Sequence, residues 1–126
     1  MPVKRVLSVG QCAADHAAIS RTVRSHFAAE IIPADTLAET LAEVRAQPFA
    51  LVLVNRVLES DGSSGLEVVR RLQSDDTLHE VPIMLVSNHE DAQQEAVQSG
   101  AVLGFGKASL GQPRMLERLT QFLEPA

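Results

Sequence analysis

The 126 residues predict a doubly wound α/β fold, a five-stranded parallel sheet with helices on both faces. Two observations carry that prediction. Short, nearly continuous apolar runs rich in Val, Ile and Leu fall at 3–9, 29–34, 49–54, 82–87 and 102–106, as strands covered on both faces require. Each run is followed by a segment with helical spacing, and strict alternation of strand and helix implies right-handed crossovers and two helical layers.

The strand over 3–9 leads into a helix marked by Ile19, Val23 and Phe27. After the strand over 29–34, Asp35 is expected to cap a helix carrying Leu37, Leu41 and Val44. The third strand, Phe49 to Val54, ends in Asn55, and the next helix presents Leu66, Val69 and Leu72. Pro82 opens the fourth strand, where its missing donor does least harm. Ala92, Ala96 and Val97 mark the fourth helix, which Gly100 can end. The last strand, 102–106, precedes a helix with Pro113 in its first turn and Met115, Leu116, Leu119, Phe122 and Leu123 at one period.

The length is common for one domain, and 1–126 is read as a single domain without repeats or linkers. Hydrophobic residues at 45% and charged residues at 21% are ordinary, and no run approaches the length that spans a bilayer. No charged-then-apolar leader precedes the first strand, so a cytoplasmic location and no membrane contact are expected. The single cysteine, Cys12, cannot form an internal disulfide, which agrees with a reducing compartment. A net charge of -5, with no long basic cluster, argues against nucleic-acid binding through phosphates. Four Phe without Trp or Tyr leave no stacking platform for bases.

In such a sheet, ligands bind beyond the carboxyl ends of the strands. Those ends supply Gly10, Gln11 and Cys12; Asn55 and Arg56; Ser87 and Asn88; and Lys107 and Ala108, and all four are expected to frame one pocket. Asn55 decides its chemistry. A carboxylate there could take up a phosphoryl group and hold a metal ion, whereas a carboxamide is uncharged and a poor nucleophile. Cys12 at the pocket mouth has two readings, an inert thiol or one activated by Lys107. His16, His26, His79 and His89 lie on different predicted elements without paired ligand spacing, and read as solvated or helix-end residues. Asp15 reads as a first-turn acid of its helix, and Asp75-Asp76 as an exposed turn. Gly10 stands alone, without the further glycines or lysine of a nucleotide loop.

The segments Leu51 to Asn55, Gly65 to Leu72 and Val81 to Ser87, together with Ser99-Gly100-Ala101 and Lys107, are similar to a receiver domain of the two-component response regulators. The likeness runs from about residue 4 to residue 123. It implies a flavodoxin-like three-layer sandwich with strand order 2-1-3-4-5. It also implies a phosphoacceptor Asp at the end of the third strand and two acids after the first, which hold magnesium. Here those places fall on Asn55, Gly10 and Gln11. A hard divalent cation prefers charged oxygens, so weak or absent magnesium binding and no conventional phosphorylation are expected.

By the same resemblance Ser87 and Lys107 match the hydroxyl and basic residues that meet the phosphoryl group. A local hydrogen-bonding serine and a solvated lysine remain the other reading. Ala108 replaces the usual proline after the lysine. Gly104 occupies the place of the aromatic switch residue, while the adjacent Phe105 alternates toward the core. The loop from Leu58 to Ser64 is about two residues longer than usual and reads as a solvated insertion. The other reading folds it over the pocket, with Glu59 or Asp61 pairing with Lys107.

The leading expectation is a non-enzymatic, receiver-like signalling module that binds protein partners without aspartyl phosphorylation. The resemblance implies contact through the fourth helix, fifth strand and fifth helix, about 90–123, including homodimers. A sensor of anions or small ligands using Lys107 and Ser87 is the alternative. A phosphorelay receiver with an unconventional acceptor, Glu59, Asp61 or Ser87, ranks last.

Overall fold

The computed structural model describes residues 3–126. Five parallel strands, β1 (Lys4–Val9), β2 (Ala29–Ala34), β3 (Leu51–Asn55), β4 (Ile83–Val86) and β5 (Val102–Phe105), lie in the order β2-β1-β3-β4-β5. They alternate with α1 (Ala13–His26), α2 (Leu37–Ala46), α3 (Gly65–Gln73), α4 (Glu90–Gln98) and α5 (Pro113–Leu119), and a 3₁₀ turn spans Lys107–Ser109. Fold class and strand order are those expected. Among the described residues no helix is long and apolar enough to cross a membrane.

Alternation along the strands divides the core in two. Leu7, Val9, Val52, Val54, Ile83 and Leu85 pack against α2, α3 and α4 through Val44, Val68, Val69, Leu72 and Ala96. Val6, Leu51, Leu53, Met84, Val86 and Phe105 pack against α1 and α5 through Ile19, Val23, Met115 and Leu119. Each such Val, Leu, Ile, Met or Phe side chain contributes about 1.5–3 kcal/mol on burial. A one-residue slip would exchange the two faces, so this pattern fixes the register of β3 and with it the position of Asn55.

Several local expectations change. Thr36, not Asp35, caps α2: its hydroxyl accepts the Glu39 N–H at 3.1 Å, while Glu39 accepts the Asp35 N–H at 3.3 Å. The reciprocal pattern satisfies two donors at once. Phe27 lies just past α1, bridged to Pro125, and α5 stops at Leu119, before Phe122 and Leu123. On α4 the buried residues are Gln93 and Ala96, whereas Val97 is exposed. His16 and His26 share α1 instead of lying on separate elements.

Asp75 is no simple exposed turn. Its Oδ1 accepts the Thr77 N–H at 2.9 Å and hydroxyl at 2.6 Å, and its Oδ2 meets Arg45 of α2 at 3.1 Å and Arg71 of α3 at 3.7 Å. The Thr77 bonds first, and then Arg45, hold its carboxyl at about 2, below the ordinary 3.8. A depressed folded pKa stabilises the fold above the unfolded value and loses that contribution as pH falls through the folded one. Asp75→Asn is therefore expected to be less stable than the wild type at neutral pH, the gap closing between 3.8 and about 2. Urea denaturation across the acid range reads this directly, and a gap that persists unchanged to the lowest pH would contradict it.

Candidate functional site

β3 delivers Asn55 to the carboxyl edge of the sheet, where four fully buried residues give way to a half-buried side chain. The Asn55 carboxamide donates to the Gly10 carbonyl at 3.2 Å and to the Val57 carbonyl at 2.8 Å. Both bonds need N–H hydrogens, which an ionised carboxylate does not have. Asn55 thus ties the loop after β1 to the loop after β3.

Gly10 has φ +73° and is buried. A Cβ there would overlap Leu58 Cδ2 and approach Leu58 Cα within 3.0 Å. Leu58 itself is fully buried in the core on the α3 side. This corrects the reading of the loop after β3 at Leu58, while Glu59, Ser60, Asp61 and Gly62 are exposed, as a solvated insertion would be. The loop closes on itself through a Val57–Ser64 bridge and the Leu58 N–H to Ser63 carbonyl bond at 2.8 Å. It is also strapped outward, because the Glu59 N–H reaches the Gly10 carbonyl at 2.9 Å and the Ser60 hydroxyl reaches the Asp35 carbonyl at 2.7 Å.

The four strand ends do not share one pocket. A cleft of about 320 Å³ is lined by Asn55, Arg56, Glu59, Ser87, His89 and Lys107, among others, but by nothing from the end of β1. Leu58 covers Gly10, Gln11 is turned inward and only 8% exposed, and Cys12 is the N-cap of α1, its sulfur accepting the Asp15 N–H at 3.4 Å. Ser87 Oγ accepts the His89 N–H at 3.1 Å at the entry to α4. Asn88 Oδ1 accepts the Ala108 N–H at 3.0 Å, and the peptide bonds of the described residues, including Lys107–Ala108, are trans.

Lys107 pairs with neither loop acid. Its Nζ lies 2.6 Å from Asp15 Oδ2, each side chain 35% exposed. Asp61 is spent inside its loop, accepting the Ser63 N–H at 2.9 Å and hydroxyl at 2.6 Å, and these bonds lower its pKa. Asp15 keeps its place in the first turn of α1, and Lys107, followed by Cys12, holds its carboxyl below the usual range. A pair this exposed adds about 0–1 kcal/mol, but it neutralises the one lysine of the cleft. Sequence spacing could not reveal the pair, because its partners lie on the first helix and the last loop.

The residues present do not fit a divalent cation. Magnesium takes an octahedral oxygen shell, held through carboxylates. Where those carboxylates would stand there is an amide turned to carbonyls, a glycine under Leu58, and Gln11, whose Nε2 faces the Val9 carbonyl at 3.5 Å and whose Oε1 is buried without a partner. No group of three or more His, Cys, Asp or Glu among the described residues is placed to hold a metal.

Gln93 is the second residue that spacing passed over, a polar side chain 7% exposed between α4 and the sheet. It bonds Gly104, while Phe105 lies in the opposite core layer as expected. A buried polar residue one step from the apolar period of α4, set against a glycine in β5, is the signal that could have found it.

Comparison with solved structures returns this architecture over nearly the whole chain. A protein of Chloroflexus aurantiacus described as a response regulator matches with TM-score 0.82 at 15% identity, covering 96% of this chain and 98% of its own. The chemotaxis response regulator CheY4 of Vibrio cholerae matches with TM-score 0.73 at 19% identity, covering 95% and 98%. A response regulator from Thermotoga maritima gives TM-score 0.73 at 21% identity, covering 96% and 98%. No protein-family model matches the sequence, and no curated protein does. Five parallel strands in this order, the five helices in these layers and the near-complete superpositions together give the chain the fold of the response-regulator receiver domains.

Proposed function

We propose that this chain is a receiver-like signalling module of the two-component type that works by protein–protein contact and is not phosphorylated at residue 55. The observation that carries the reading is the Asn55 carboxamide, whose N–H groups are committed to the carbonyls of Gly10 and Val57. The residue at the phosphoacceptor place serves as a strut between two loops. Its partner surface is the face of α4, β5 and α5, where Val97 and Leu103 are 44% and 48% exposed.

An anion sensor ranks second, since Arg56, His89 and Lys107 do line the cleft. Asp15 at 2.6 Å already supplies an anion to Lys107, and this weighs against it. An unconventional acceptor ranks third, with Asp61 engaged by Ser63 and Glu59 on an exposed loop.

A small phosphodonor with magnesium tests the proposal by intact mass. The wild type and Asn55→Asp are both expected to gain no phosphoryl group. Asn55→Asp should also lose about 1–3 kcal/mol of stability, because the Val57 carbonyl loses its donor, the Gly10 carbonyl keeps only the Glu59 N–H, and both face a carboxylate. Stoichiometric phosphorylation that disappears in Asn55→Ala would overturn the reading.

A further inference from the structure

β5 does not pair evenly with β4. Met84 lies opposite Val102 and Val86 opposite Phe105, so two steps along β4 span three along β5. A bulge leaves backbone groups without ladder partners, and here two helices meet those of Gly104 and add bonds to its neighbours. From α4, Gln93 Oε1 accepts the Gly104 N–H at 3.0 Å. Its Nε2 donates to the Leu85 carbonyl at 2.9 Å and the Ser87 carbonyl at 3.1 Å, with the Phe105 carbonyl at 3.4 Å. From α5, Arg118 donates to the Gly104 carbonyl.

Gly104 is what lets this arrangement close. A Cβ at that position would overlap the Leu85 carbonyl and lie 3.2 Å from Gln93 Oε1. The Gln93 carboxamide therefore fills the space into which a side chain at residue 104 would point. Moving α4 relative to β5 would strand the Gly104 N–H in the interior, and a buried group without a partner is costly.

We propose that Gln93 and Arg118 lock α4, β5 and α5 into one permanent conformation, so that this face is presented constitutively and is not switched. The signalling meaning of the lock rests on the proposed function above, but the lock itself stands on the bonds to Gly104 and Leu85. A surface with a second arrangement could be biased by an event elsewhere in the domain. One without it offers the same contacts at all times.

Amide relaxation dispersion and hydrogen exchange on the whole chain test this. In the wild type, Leu85, Ser87, Gln93, Gly104 and Phe105 are expected to show no exchange on the μs–ms timescale. The Gly104 amide should be as protected as that of Leu53 in the central strand. In Gln93→Ala, Gly104 protection should fall roughly ten- to hundredfold, and dispersion should appear at Leu85 and Gly104 while Leu53 stays protected. Gln93→Glu keeps an acceptor for Gly104 but loses the donors to Leu85 and Ser87, so dispersion should appear at Leu85 with less loss at Gly104.

Dispersion at these positions in the wild type, or a wild-type Gly104 amide that exchanges as fast as that of the exposed Ser60, would overturn the lock even if the variants failed to fold. Phosphorylation at residue 55 with these amides still quiet would overturn the proposed function alone. Exchange here without phosphorylation would overturn the lock alone.

Discussion

Gly10→Asp is expected to lower stability by about 4 kcal/mol or more, a large part of the roughly 5–15 kcal/mol that holds a domain folded. Three costs act together. A side chain at φ +73° is strained by about 1–2 kcal/mol. Overpacking against Leu58 adds about 1–3 kcal/mol, and a carboxylate placed there is buried without a cation beside it. Urea denaturation reads the loss. The consequence for the site is sharper, because adding Gln11→Asp and Asn55→Asp should yield an unfolded chain and not a magnesium site. A triple variant that is folded and binds magnesium would show that Leu58 yields its place readily.

The second large effect comes from the other side of the same contact. Leu58 is fully buried, so Leu58→Ala should cost about 2–5 kcal/mol through lost burial and the cavity left behind. Val57 and Ser64 would then bridge over an empty anchor, and hydrogen exchange at the Leu58 and Gly62 amides, both bonded within the loop, should accelerate. Gly10→Asp and Leu58→Ala share one volume and cannot be additive. Their combination should be less damaging than the sum of the single changes by about 1 kcal/mol or more. Strict additivity in the double variant would mean that the two residues do not compete for space.

β3 and β4 were legible because each is a continuous apolar run buried on both faces, whereas β1, β2 and β5 are partly exposed and were legible from their shorter apolar stretches and the alternation with helices. Local periodicity speaks less clearly where a single residue decides the outcome. Leu58 stands with the exposed Val57 between Arg56 and a polar run, and composition alone makes it part of a surface loop. Only the contact with Gly10, distant in sequence, turns it into core. Val97 and Gln93 show the same limit on α4. Spacing assigned Val97 to the interior, but the side chain that enters it is the one that satisfies the bulge in β5, a feature of strand pairing that no window along α4 contains. At the site, the residue types at Asn55, Gly10 and Gln11 showed that no carboxylate stands at these strand ends. The carbonyls that now hold Asn55, and the aspartate that holds Lys107, depend on loops meeting in space.

Leu58 also limits which changes the site can accept. Its side chain occupies the volume beside Gly10, so an acid at residue 10 is harmful while Leu58 remains. Removing Leu58 first is harmful while residue 10 is glycine, since it opens a cavity. Whichever change comes first passes through a weaker protein. Residues 10 and 58 are thereby coupled, and a carboxylate at residue 10 is not reached through either single change without loss of stability.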